Sequence, residues 1–312
     1  MKIHQRYKRF IPKVVGITAA VIVAFGAIVL QIPSTKAASL HKKYQFIDTN
    51  YSIPSSNVAW VASNGNDATG NGSENSPYKT FAKALAVLPS GGTVVAKSGI
   101  YREPHFFVSK NNITLQAAPH AEVWLKGSDI VTNWTSDNGV WKTTGNYHNF
   151  CHVCTTNSDP GKEGVAAYPE QVFINDEPMQ QVATKAEVTP GSNTFYVEDK
   201  TPTTLKVPGD NSKGYNIGAQ DNITYYIGKN PAASQVEISE RPRAFTATGQ
   251  NFTARGINVA QYASVQAWGF ADPVYGKDIS GPTAVSLNGN DSLVQNMIIT
   301  QNSNQGLFFN QA

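Results

Sequence analysis

The chain has 312 residues, with 25 Lys and Arg against 22 Asp and Glu and a formal net charge of +3. Six of the basic residues (Lys2, Arg6, Lys8, Arg9, Lys13, Lys36) and no acid lie in the first 37, so residues 38–312 balance at 19 minus 22, or −3. Nucleic-acid binding thereby loses its main support, and the rest, about 275 residues rich in Gly, Asn, Ser and Thr, suits one large β domain.

Residues 1–37 have the parts of an export signal: a basic head, an uncharged run from Val14 to Thr35, and small residues at Thr35 and Ala37 before a cut after Ala37. The run is also long enough for an uncleaved membrane anchor. In either form the rest of the chain is secreted or held at the cell surface, touching the membrane only through this segment. Residues 38–57 read as a polar linker. Val58 to Ala62 reads as a strand, Ser63 to Pro77 as a Gly/Asn-rich loop, and Tyr78 to Leu88 as a helix with Phe81, Ala84, Leu85 and Leu88 on one stripe. Pro89-Ser90-Gly91-Gly92 ends it. Strands are expected at Thr93 to Ala96, Phe106 to Val108, Ile113 to Gln116 and Val123 to Leu125. An amphipathic helix ahead of a string of strands can cover the open end of a stack.

A repeat follows. Pro242, Ala244, Gly249 and Gln261 recur 40 residues later as Pro282, Ala284, Gly289 and Gln301, with Phe245/Val285, Thr246/Ser286, Asn251/Asp291, Ile257/Met297 and Val259/Ile299 as similar pairs. From Val285 to the apolar Leu307-Phe308-Phe309 is 22 residues, one coil of a stacked-strand solenoid, so the 40 reads as a coil plus an 18-residue insertion at Ala267 to Ala284. Two similar hairpins of a β-sandwich are the alternative.

Trp60-Val61-Ala62-Ser63-Asn64-Gly65-Asn66-Asp67, Gly70-Asn71-Gly72, Ser76-Pro77-Tyr78-Lys79-Thr80-Phe81, Gly91-Gly92-Thr93-Val94 and Gly99-Ile100-Tyr101-Arg102-Glu103 resemble the N-terminal cap and first coil of secreted right-handed parallel β-helix proteins of the pectate-lyase-like superfamily. Glu170-Gln171-Val172-Phe173-Ile174-Asn175 and Tyr225 to Pro231 look like a β-rich insertion found in some members. The resemblance implies an all-β, right-handed parallel β-helix with an N-terminal capping helix: cap and first coils at 58–138, β-rich insertion at 139–240, further coils at 241–312. The chain ends directly after a strand, as a fragment lacking C-terminal coils would. The function implied is a monomeric carbohydrate-active enzyme, foremost a lyase cleaving an acidic polysaccharide by β-elimination, with a glycan-binding adhesin or a hydrolase on the same fold as alternatives.

A lyase needs a cation, Ca²⁺ or an Arg/Lys, to neutralise the uronate, together with a base and a groove. Trp268, Asp272, Tyr275, Lys277 and Asp278 combine a stacking ring, two ion ligands and a cation within eleven residues, against the bland reading of a solvated loop. Arg241 and Arg243 add carboxylate-matching guanidinium groups, against a structural role. No catalytic signature is recognisable. His148, Cys151, His152 and Cys154 are too crowded for an ordinary zinc site, and a Cys151–Cys154 disulfide is expected ahead of free thiols or a metal. The Asn-x-Ser/Thr triplets at Asn112, Asn133, Asn222, Asn251 and Asn290 read as turn chemistry, with corner asparagines able to ladder from coil to coil.

Overall fold

The computed structural model describes residues 43–148, 150, 169–198, 220–263 and 283–310. The 1–37 segment therefore lies outside the described residues, and among those that are described no helix is long and apolar enough to cross a membrane.

Before the insertion the strands are β1 (Val58–Val61), β2 (Thr93–Ala96), β3 (Gly99–Tyr101), β4 (Phe106–Val108), β5 (Thr114–Ala117) and β6 (Val123–Lys126). The insertion carries β7 (Ser128–Val131), β8 (Thr135–Asp137), β9 (Val140–His148), β10 (Val172–Ile174), β11 (Glu177–Pro178), β12 (Gln180–Gln181), β13 (Thr194–Glu198), β14 (Gln220–Ile227) and β15 (Val236–Ser239). The chain then returns through β16 (Phe245–Ala247), β17 (Thr253–Arg255), β18 (Ile257–Ala260), β19 (Thr283–Leu287), β20 (Leu293–Gln295), β21 (Ile299–Thr300) and β22 (Gln305–Phe309).

The protein is mostly β, and three of its sheets are wholly parallel: β1-β2-β5-β17-β20, β4-β16-β19-β22 and β3-β6-β18-β21. Each takes one strand from each successive coil. The register reproduces the repeat: Phe245 faces Val285, Thr253 faces Leu293 and Val259 faces Ile299, all 40 apart, while Val285 faces Leu307, 22 apart. Phe106 faces Phe245 across 139 residues, so the chain leaves the stack after β6 and returns to lay its next coil directly on the one it left. Phe81, Phe106 and Phe245 stack in a column at centroid spacings of 5.6 and 5.5 Å, continuing the core from the helix into two coils.

The corners are built from repeated residues. Asn112, Asn251 and Asp291 occupy equivalent corners and all have positive φ (59°, 53°, 58°), which Asn and Asp tolerate best among residues with a side chain. Asn251 Nδ2 donates to Asn112 Oδ1 at 3.0 Å, forming the expected ladder. At Gly249 and Gly289 the coils touch backbone to backbone: a Cβ would lie 2.1 Å from Lys110 O and 2.0 Å from Gly249 O, respectively.

Helix α1 (Phe81–Val87) is shorter than the sequence predicts, but all four stripe residues are buried. Thr80 caps its N-terminus by accepting from Lys83 N at 3.1 Å, and the Glu103 carboxylate accepts from Phe81 N and Ala82 N. At the other end Lys110 Nζ donates to the carbonyls of Leu85, Ala86 and Leu88, where a cation is favoured. The helix packs on β1, β2 and β4 of the first coils.

The insertion forms two sheets, β11-β10-β15-β7 and β12-β13-β14-β9-β8, antiparallel except for β12–β13. Val131, Val172, Ile174 and Ile238 of the first and Tyr147, Phe195, Ile223 and Tyr225 of the second share one core, separate from that of the stack. Two strands that precede residue 139, β7 and β8, pair into these sheets rather than into the stack.

Candidate functional site

The insertion places a groove beside its junction with the stack. Strands β10 and β11 are joined by the two-residue turn Asn175–Asp176, with φ of 52° and 63°, the left-handed pair that such a tight hairpin demands. Asn175 Oδ1 accepts from Gln235 N at 2.9 Å and Asn230 Oδ1 accepts from Ala232 N at 2.9 Å, fixing the rim loop that leads into β15. Opposite, β7 runs into a loop carrying Trp134, whose Nε1 donates to Val131 O at 3.0 Å, and β9 supplies Trp141. Together these segments enclose a cavity of about 910 Å³ walled by the two tryptophans, Ile130 and Pro231, with Asn175, Asp176, Ser234 and Gln235 as polar groups. This is the size of a small-ligand cleft, and its lining is divided almost evenly between apolar and polar surface.

Asp176 ties the groove to the stack. Lys126, fully buried, donates to Asp176 Oδ1 and Glu237 Oε2, both at 2.6 Å, and Arg102 pairs with Glu237 Oε1 while its Nε donates to Ser128 O. Gln261 Nε2 donates to Asp176 Oδ1 and to Gln301 Oε1, and Gln301 Nε2 donates to Asp176 O at 2.7 Å. Two cations and two anions thus close on one another, and the repeated glutamines of two coils hold the turn. Burial alone would raise the Glu237 carboxyl, but Lys126 and Arg102 outweigh it and hold it low. Asp176 is pushed up by burial, with the neighbouring Glu237 charge adding to the rise against the pull of Lys126.

The sequence-predicted residues lie elsewhere. Arg241 is buried and forks onto Asp129 at 2.9 and 3.1 Å, and Arg243 donates from Nε to Thr283 O and from Nη1 to Thr246 Oγ1. Neither lines the groove. Near Arg241, burial raises two carboxyls, Glu103 to about 7 and Glu240 to about 8; the His148 N–H that Glu240 accepts and the Arg241 charge only partly offset the rise in Glu240. Trp268, Asp272, Tyr275, Lys277 and Asp278 lie outside the described residues, as do Cys151, Cys154 and their expected disulfide. For Ca²⁺, no group of three potential ligands gathers among the described residues. The nearest paired carboxylates, Asp176 and Glu237, do not fit the ion because Lys126 and Arg102 already occupy them. Trp134 and Trp141 were not among the residues expected from the sequence. Their signal was the pairing of two of the chain's five tryptophans around Asn138-Gly139, a strong hairpin dipeptide.

No protein-family model matches the sequence, and no curated protein matches it. Among solved structures the chain is similar to XylC, determined in complex with xylose, at 19% identity and a TM-score of 0.54, covering 76% of this chain and 40% of that one. A glycoside hydrolase matches at 12% identity over 67% of this chain and 51% of that one, but its TM-score of 0.35 is too low to support an inference. The XylC likeness shows a shared β-rich fold. The chain spans less than half of that protein's length.

Proposed function

We propose that this is an exported carbohydrate-active protein, built as a right-handed parallel β-helix, that binds a glycan in the groove of its β-rich insertion. The observation carrying the reading is the open cavity walled by Trp134 and Trp141, with Ser234, Gln235 and Asn175 within it. Two rigid indole faces give large apolar contact at low entropic cost, and amides and hydroxyls match the hydroxyls of a sugar. The likeness to XylC, whose structure holds xylose, supports a sugar as the ligand, and the basic, apolar and small-residue order of residues 1–37 supports export. None of the described residues lining the groove is a cation, so the lyase route read from the sequence would draw on Lys277, Arg241, Arg243 or Ca²⁺.

The test is calorimetric titration of the full chain with xylose and with xylo-, cello- and galacturono-oligosaccharides. Binding of at least one, weakened about tenfold or more by Trp134→Ala and by Trp141→Ala, is the expected result. Binding unaffected by both substitutions moves the site elsewhere, and no binding overturns the reading.

A further inference from the structure

Resting on the glycan reading of this groove, we propose that it selects neutral sugars and rejects uronates, opposite to the acidic polymer that the sequence resemblance implies. The charges decide this. No Arg, Lys or His is among the described residues that line the groove, and its one ionisable group is Asp176. That carboxylate lends no attraction to an anion, and Lys126, the cation beneath it, is fully buried and spent on Asp176 and Glu237. Counting Arg102, the cluster holds two positive and two negative side chains, so no positive charge is left to face the groove. Lys229, two residues before Pro231, is the nearest cation in the rim loop and does not line the cavity.

A uronate carboxylate entering here gives up hydration against indole rings and gains no cationic partner, the arrangement by which a site discriminates against a ligand. A neutral pyranose meets no such penalty. Ser234 Oγ accepts from Asn175 Nδ2 at 3.4 Å, which leaves its own proton for a sugar hydroxyl, and the Gln235 side-chain amide offers both a donor and an acceptor. The cavity of about 910 Å³ has room for a short oligosaccharide rather than a single ring.

The experiment compares neutral xylo- and cello-oligosaccharides with galacturonate and guluronate oligomers of equal length, on the full chain by calorimetry at low and at high salt. The neutral series should bind at least about tenfold tighter, with affinities insensitive to salt. Ala233→Lys, at an exposed lining position that offers a sugar no polar group, places a cation in the groove and should raise uronate affinity while leaving the neutral series within a few-fold; the retained neutral binding shows that the variant is folded. Uronates binding as tightly as neutral sugars, or tighter, to the unaltered protein overturn the proposal and leave glycan binding standing. Failure of both series overturns the glycan reading, and the selectivity falls with it.

Discussion

Replacing Lys126 by Met tests whether the closed ion cluster holds the insertion to the stack. The side chain is fully buried, and its two partners, Asp176 and Glu237, have side chains only 3% and 0% exposed. Removing the cation leaves two buried anions beside one guanidinium, Arg102, which pairs with Glu237 and not with Asp176. A unit pair about 4 Å apart at an effective dielectric of about 20 is worth roughly 4 kcal/mol, and breaking one side of a buried pair costs about 3–5 kcal/mol. For a fold of this size that is a drop in Tm of about 6–20 °C. Urea unfolding followed by tryptophan fluorescence reads it at pH 7 and again near pH 4. In the unaltered protein the depressed Glu237 contributes stability above its unfolded value, about 4.3, and loses it as pH falls through the folded value. In the variant the orphaned carboxylates are raised, so their penalty is relieved by acid. Both effects narrow the gap between the two proteins as pH falls. Lys126→Met/Asp176→Asn should recover part of the loss at pH 7. A loss below about 1 kcal/mol, or a gap constant with pH, would refute the account.

Other consequences are open to simple measurement. Gly289→Ala forces a Cβ to 2.0 Å from a backbone oxygen of the coil beneath and should lower Tm more than Gly145→Ala, whose Cβ meets nothing closer than 3.4 Å and whose φ is not left-handed. Thr80→Ala removes the N-cap of α1 and should cost about 1 kcal/mol in chemical denaturation. Glu103 and Glu240 are raised by burial to about 7 and about 8, so each contributes stability that is full below its unfolded value and lost as pH rises through the folded one. Glu240→Gln should therefore flatten the decline in stability between about pH 5 and 8, and an unchanged slope would show that Glu240 does not titrate with unfolding. Asp272→Ala and Lys277→Ala, assayed for unsaturated product by absorbance near 235 nm and for reducing ends, decide whether the 267–284 insertion acts chemically; turnover unchanged in both removes it.

The stack was legible because repetition constrains every coil in the same way. Asn251/Asp291 and Gly249/Gly289 recur at 40 residues because the same corner must turn left-handed and let one coil touch the next. Gln261 and Gln301 recur for a different reason, which the alignment alone could not supply: their side chains bond to each other and to the Asp176 turn, so the repeat also forms the socket for the insertion. The insertion itself obeys no period. Its pairing partners are as distant as β7 with β15 and β9 with β14, and its groove draws on segments around 130–141, 175–176 and 231–236 that carry no shared motif.

The buried charges at the junction follow from this construction. A stack of parallel strands interrupted by a second core must bury polar groups where the two meet. Arg102, Lys126, Glu237, Arg241 and Asp129 join the halves instead of facing a ligand, and in the sequence they look like any other candidate for recognition. The groove is left to Trp134 and Trp141, set on either side of the Asn138-Gly139 turn, where φ is 52° and 89°. In a chain whose insertion is mostly small and polar, two large rings brought to one open wall by a tight hairpin point to a ligand more directly than the buried arginines, because water still reaches the space between them.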